Sequence, residues 1–111
     1  MTLLMGLIFV SCSEDEEPDI CDTANVTYTS DIAAIFNVSC ATAGCHVDGN
    51  EMNAFFSLEG FEKSRAAAGL GRMIGAINQD DGFTAMPIGG DKLEQCDIDK
   101  ITEWIAAGTP E

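Results

Sequence analysis

Basic residues are scarce in this chain: five Lys and Arg stand against 19 Asp and Glu, a formal net charge of −14 over 111 residues. Without a basic patch to neutralise phosphates, nucleic acid is excluded as a partner, and anionic membrane surfaces are disfavoured for the same reason. Long-range attraction favours a partner with a basic patch, and salt weakens it. Long apolar runs are missing too. The first eleven residues, MTLLMGLIFVS, carry no charge, but a membrane-spanning helix needs about 20. There are no internal repeats, and NVTYT (25–29) is the only stretch that reads as a strand. GLGRMIG (69–75) offers a Gly-x-Gly, yet no strand precedes it, which excludes a dinucleotide fingerprint. Nothing suggests a general base, a nucleophile or a substrate pocket. Asp80-Asp81 beside Gly82 reads as a loop, and the remaining carboxylates read as a solvated surface.

Three segments are present. Residues 1–11 read as the apolar part of a secretory signal. Within it FVSC (9–12) resembles a bacterial lipobox, with small Ser11 before Cys12, and that resemblance implies that Cys12 becomes the acylated first residue of a lipoprotein. No Lys or Arg precedes the apolar run, which departs from the signal pattern. Residues 12–20 contain SEDEEPD (13–19), where like charges repel and extend the chain, so this segment reads as an acidic tether. It also resembles the acidic stretch that some Gram-negative bacteria place after the lipid cysteine for surface routing. Residues 21–111 are the domain, a core small enough to be helped by a cofactor or a cross-link.

Helical spacing dominates the domain and predicts an all-α fold. Ser30 is placed to cap a first helix with an apolar face of Ile32, Ile35 and Phe36. Leu70, Met73, Ile74 and Ile77 fall at i, i+3, i+4 and i+7, a second face, preceded by a helical piece through FEKSRAAAG that breaks near Gly69 and Gly71. In the last helix Asp97 is expected to cap. Ile98, Ile101, Thr102 and Ile105 form a stripe beside Trp104, and Gly108 and Pro110 end it. Glycine-rich loops, GCHVDGN and AMPIGGDK, lie between the helices.

The chemistry concentrates in CATAGCH (40–46), where Cys40 and Cys45 meet the single histidine, His46. Zinc would want four converging ligands, and adjacent positions 45 and 46 converge poorly on one ion. A local Cys40–Cys45 disulfide suits an exported protein but leaves the Cys-His adjacency without a role. The third chemistry is c-type haem. Two thiols add to the porphyrin vinyl groups, and the residue after the second thiol lies beneath the iron and supplies an imidazole nitrogen. Between the thiols, Ala41, Thr42, Ala43 and Gly44 are small enough to bulge outward, which loosens the demand on spacing.

With these residues in view the chain resembles the monohaem cytochrome c domain of class I type, in its lipoprotein form with a widened Cys-x4-Cys-His motif. The resemblance runs from about Tyr28 to Gly108. It rests on an aromatic residue in the helix before the motif (Phe36), on CATAGCH, on AMPIGG (85–90) and on CDIDKITEWIAAG (96–108). It implies a small cytochrome c-like domain of three to five helices around one covalently bound haem c. Cys40 and Cys45 would form the thioethers, His46 and Met86 would be the axial iron ligands, and Trp104 would face Phe36. Met52 and Met73 compete for the sixth position, and Met73 also fits a helix face. The widened motif bears most on the Cys40 bond. Of five cysteines, Cys21 and Cys96 remain, and in an oxidising compartment they are expected to form a disulfide, the alternative being two free buried thiols.

The expected function is electron transfer rather than enzyme catalysis, in a protein exported and lipid-anchored to the bacterial envelope, on its periplasmic side or at the cell surface. The partners would be redox proteins with basic contact patches. Two other functions remain open: a haem-based ligand sensor or peroxidase-like protein with an open sixth site, and a non-redox lipoprotein stapled by disulfides.

Overall fold

The computed structural model describes residues 21–111. The signal segment 1–11 and the acidic tether 12–20, with the expected lipid site Cys12, lie outside the described residues.

The domain begins with a backbone that turns at once into helix. Thr27 accepts the Asp31 and Ile32 N–H groups on its carbonyl at 3.1 and 3.2 Å. Its hydroxyl accepts the Ser30 N–H at 3.2 Å. Tyr28–Ile32 therefore winds as a π-helical turn that runs directly into α1 (Ala33–Ser39). Thr27 is thus the cap expected at Ser30, and the Ser30 hydroxyl instead donates to the Asp31 carboxylate. The strand expected over residues 25–29 is likewise replaced. Val26 and Tyr28 are buried as alternation predicts, but no strand lies beside them. The N–H groups of Tyr28 and Thr29 donate to the carbonyls of Pro110 and Glu111, each at 2.9 Å.

Four further helices follow: α2 (Glu51–Ala54), α3 (Phe61–Ala68), α4 (Met73–Ile77) and α5 (Gln95–Ala106). Among the described residues there is no strand, and the fold is all-α. The helical piece before Gly69 is α3, as expected. The second apolar face is shorter than its periodicity suggests, because Gly71 at φ +79° stops the chain between α3 and α4. Leu70 is left outside any helix and exposed, while Ile77 is buried and Met73 packs against the core. The last helix starts earlier than its expected cap. Glu94 is the cap residue, and the Gln95 amide donates to the Asp99 carboxylate at 2.8 Å, an i,i+4 pair that supports the extra turn. Asp97 lies inside the first turn.

The core forms where the π-helical turn packs on α5 and α1 adds Phe36 against Trp104. Ile32, Phe36, Ile98, Ile101 and Trp104 are the large side chains sealed from solvent, each Ile or Phe stabilising by about 1.5–3 kcal/mol on burial. Trp104 faces Phe36 edge-on, with centroids 6.0 Å apart at 84°. It also lies 6.2 Å from Tyr28, which reaches Phe61 of α3 at 5.4 Å. This chain of rings connects α1, α3 and α5.

One close approach shapes the segment leading to Met86. The ring of Phe83 lies against Gly75 of α4, so that a Cβ there would fall 2.5 Å from ring atoms. The Arg72 guanidinium sits 4.6 Å from the centroid of the same ring. Alanine at Gly75 gains about 1 kcal/mol of helix propensity but overpacks the ring at about 1–3 kcal/mol. Gly75→Ala is therefore expected to lower the thermal midpoint by several degrees, at roughly 4–8 °C per kcal/mol for a domain of this size. An unchanged or raised midpoint in calorimetry would mean that Phe83 moves aside freely.

Candidate functional site

The 40–46 loop is built directly onto the end of α1. Cys40 is the C-cap residue, its N–H bonded to the Phe36 carbonyl at 2.9 Å. The loop closes on itself when the His46 N–H donates to the Cys40 carbonyl at 3.1 Å. Inside it, the Cys45 N–H reaches the Thr42 carbonyl at 2.9 Å, and Gly44 supplies the positive φ of +79° that the turn requires. Of the intervening residues only Ala43 and Gly44 are exposed, beside the exposed Cys45, while Thr42 is half-buried and Ala41 packs against the core. Asn50 then pins the second cysteine, its side-chain amide donating to the Cys45 carbonyl at 2.8 Å.

Cys40 and Cys45 are both free thiols, so the local disulfide is not formed. Their surroundings differ. Cys40 is half-buried against the core, whereas Cys45 is exposed. Burial pushes the Cys40 thiol up to about 11, and the neighbouring Cys45 and the Asp97 carboxylate push in the same direction. Asp97 belongs to the first turn of α5.

His46 is 9% exposed, and its ring is fixed from two directions. Phe56 stacks on one face, with centroids 4.4 Å apart and planes within 8°. Nδ1 lies 3.0 Å from the Phe56 carbonyl oxygen. A carbonyl can only accept, so Nδ1 carries the proton and donates, and neutral imidazole then keeps its lone pair on Nε2. Nε2 makes no hydrogen bond among the described residues and is not sealed from solvent. A metal-ligating histidine is normally prepared in this way, with one nitrogen engaged by a carbonyl and the other left to bind.

Family models, curated proteins and solved structures all give no match to the chain.

The other expected site residues fall in two places. Cys21 and Cys96 form a disulfide across 75 residues of sequence, fastening the start of the domain to the first turn of α5. Met86 is half-buried on the loop between α4 and α5, where its N–H donates to the Ala76 carbonyl at 3.0 Å. Of the competing methionines, Met52 is almost fully exposed on α2 and Met73 packs against the core. Among the described residues no group of three or more His, Cys, Asp or Glu side chains could hold a metal ion. None of their helices is long and apolar enough to cross a membrane.

Sequence reasoning passed over the Phe56 carbonyl and the polar side chains around it. A backbone acceptor leaves no signature in residue identities. Val38, Phe55 and Ile88, large apolar side chains that no sequence pattern singled out, are exposed, as are Met52 and Leu70. The donor set available for a porphyrin is therefore two reduced thiols in one loop, an imidazole with a free Nε2, and thioether sulfur on a separate loop. In chemical type these are donors that a covalently held haem takes.

Proposed function

We propose that this chain is a monohaem electron carrier with a cytochrome c-like domain, exported and held to the bacterial envelope by lipid at Cys12. The observation that carries the reading is the state of His46. Directly after an exposed cysteine, its Nδ1–H is committed to the Phe56 carbonyl and its Nε2 is left to bind. Cys40 and Cys45 would hold the porphyrin as thioethers, His46 would supply the nitrogen ligand and Met86 the sulfur ligand. Haem c, when bound, supplies a one-electron Fe(II)/Fe(III) couple, and thioether sulfur raises its potential. The protein's other contribution is charge. A net −14 draws a basic redox partner into a short-lived, salt-sensitive complex. The reduced state of Cys40 and Cys45 also leaves the reading as a disulfide-stapled lipoprotein with only one staple, Cys21–Cys96.

The test is to export the full chain in a bacterial strain with c-type haem maturation, then to record intact mass and absorption spectra. Covalently retained haem is expected, and a mass without haem refutes the proposal. Met86→Ala is expected to lower the midpoint potential by more than about 100 mV, within the roughly 0.8 V that axial ligands span. An unchanged potential, or ready binding of carbon monoxide by the reduced unsubstituted protein, would refute Met86 as ligand and favour the open-site sensor.

A further inference from the structure

The hydrogen bond that orients His46 depends on a carbonyl in a segment with no regular structure of its own. Residues 46–48 and 56–59 lie side by side, and the Leu58 N–H donates to the His46 carbonyl at 2.9 Å while His46 Nδ1 donates to Phe56. The Phe56 carbonyl belongs to the same peptide unit as the Ser57 nitrogen, so whatever holds Ser57 sets the direction of that carbonyl.

Ser57 is held firmly. It is 4% exposed, and its hydroxyl donates to Asp48 Oδ1 at 2.6 Å while accepting the Glu59 N–H at 3.1 Å. Asp48 Oδ1 also receives the Lys63 ammonium from α3. The Asp48 N–H donates to Glu59 Oε2 at 2.8 Å, which closes the ring of contacts. Beside Lys63, the buried Ser64 hydroxyl donates to the Leu58 carbonyl at 3.2 Å. Helix α3 thus reaches this network at two points, Asp48 through Lys63 and the Leu58 carbonyl through Ser64, and Asp48 in turn holds Ser57.

We infer that Ser57, Asp48 and Lys63 are positioning residues for His46: through the Phe56 carbonyl they keep the proton on Nδ1, fix the ring and leave Nε2 as the binding nitrogen. That Nε2 binds haem iron rests on the proposed function, whereas the tautomer and the ring position do not. The exposed Lys63–Asp48 pair adds little to stability, so its removal separates positioning from folding. Lys100→Met provides the control, since the Lys100–Asp31 pair lies elsewhere, with the two groups 3.6 Å apart.

The experiment is nitrogen and proton NMR of the purified full chain, read on the His46 ring, for Ser57→Ala, Lys63→Met, Lys63→Arg and Lys100→Met. In Ser57→Ala the Nδ1–H is expected to exchange about tenfold faster, as loss of about one hydrogen bond's net stabilisation allows, and in Lys63→Met about two- to fivefold faster, as loss of an exposed ion pair allows; in both an Nε2-protonated population is expected to appear. Lys63→Arg restores the unsubstituted behaviour, and Lys100→Met leaves it unchanged. On haem-bearing protein the same two variants raise the midpoint potential, because a weaker Nδ1 hydrogen bond makes imidazole a poorer donor. That shift is opposite in sign to the one expected for Met86→Ala. If Ser57→Ala does not fold, the exposed Lys63→Met carries the test. Unchanged exchange and tautomer in Lys63→Met, or an equal change in Lys100→Met, overturns the inference. Should the purified chain carry no haem, the electron-carrier reading fails while the NMR comparison still decides the positioning role.

Discussion

Trp104→Ala is expected to bring the domain close to unfolding at room temperature. Trp104 is sealed from solvent, and its ring meets Phe36 edge-on and Tyr28 at a tilt. Its Nε1–H donates to the Pro110 carbonyl at 2.9 Å. Truncating a buried tryptophan costs about 3–5 kcal/mol, against a net stability on the order of 5–10 kcal/mol for a domain this small. Trp104→Phe keeps most of the apolar area and loses the hydrogen bond, so it is expected to cost only about 1–2 kcal/mol. Urea denaturation of the three proteins measures both differences. A loss under about 1 kcal/mol for the alanine variant would show that the packing around Trp104 is not the centre of the fold. The effect reaches the site as well, because α1 ends at the residue before Cys40.

The double variant Cys21→Ser/Cys96→Ser is expected to lose a similar amount for a different reason. The disulfide spans 75 residues of sequence, and closing a loop of that length removes about 4 kcal/mol of chain entropy from the unfolded state. Replacing both cysteines avoids a leftover thiol that could pair with Cys40 or Cys45. Urea denaturation should place the double variant level with the reduced unsubstituted protein and about 4 kcal/mol below the oxidised one. Equal midpoints for the oxidised protein and the double variant would remove the disulfide from the account of stability. Combined with Trp104→Ala, the total of about 7–9 kcal/mol reaches the scale of the whole net stability, so that triple variant is expected to be largely unfolded without denaturant.

The parts of this fold legible in the sequence are those where one strong local pattern decides the outcome. The stripe on α5 follows from apolar spacing, whereas the Phe36–Trp104 contact is one that the family resemblance implied. Boundaries were less legible: Thr27 takes the capping role expected of Ser30, and α5 begins at Gln95, ahead of Asp97, without any side-chain cap. At 25–29 the alternation of Val26 and Tyr28 was real, but alternation reports only which side chains are buried. Whether a strand forms depends on a partner strand, and here the helix begins instead. Leu70 was misplaced because its periodicity continues across glycines that the backbone does not cross as helix. At the site, the cysteines and histidine were visible as residue types. The Phe56 carbonyl and the Ser57–Asp48–Lys63 contacts were not, since they depend on how two loop segments lie side by side.

The bonds between Tyr28, Thr29 and residues 110 and 111 set an order of events. A chain that emerges N-terminus first holds residues 21–39 without their partner until residues 96–111 arrive, because Cys96 bonds Cys21, Pro110 accepts from Tyr28, and Trp104 packs on Phe36. The 40–58 loop waits for none of them: its backbone bonds join residues at most twelve apart in sequence, from Cys40 through His46 to Leu58. Such short loops close early and at small entropic cost. Cys45 stays exposed in the closed domain, whereas Cys40 is half-buried once the core it packs against has formed, so an enzyme that modifies both thiols meets Cys40 most freely while the domain is still open.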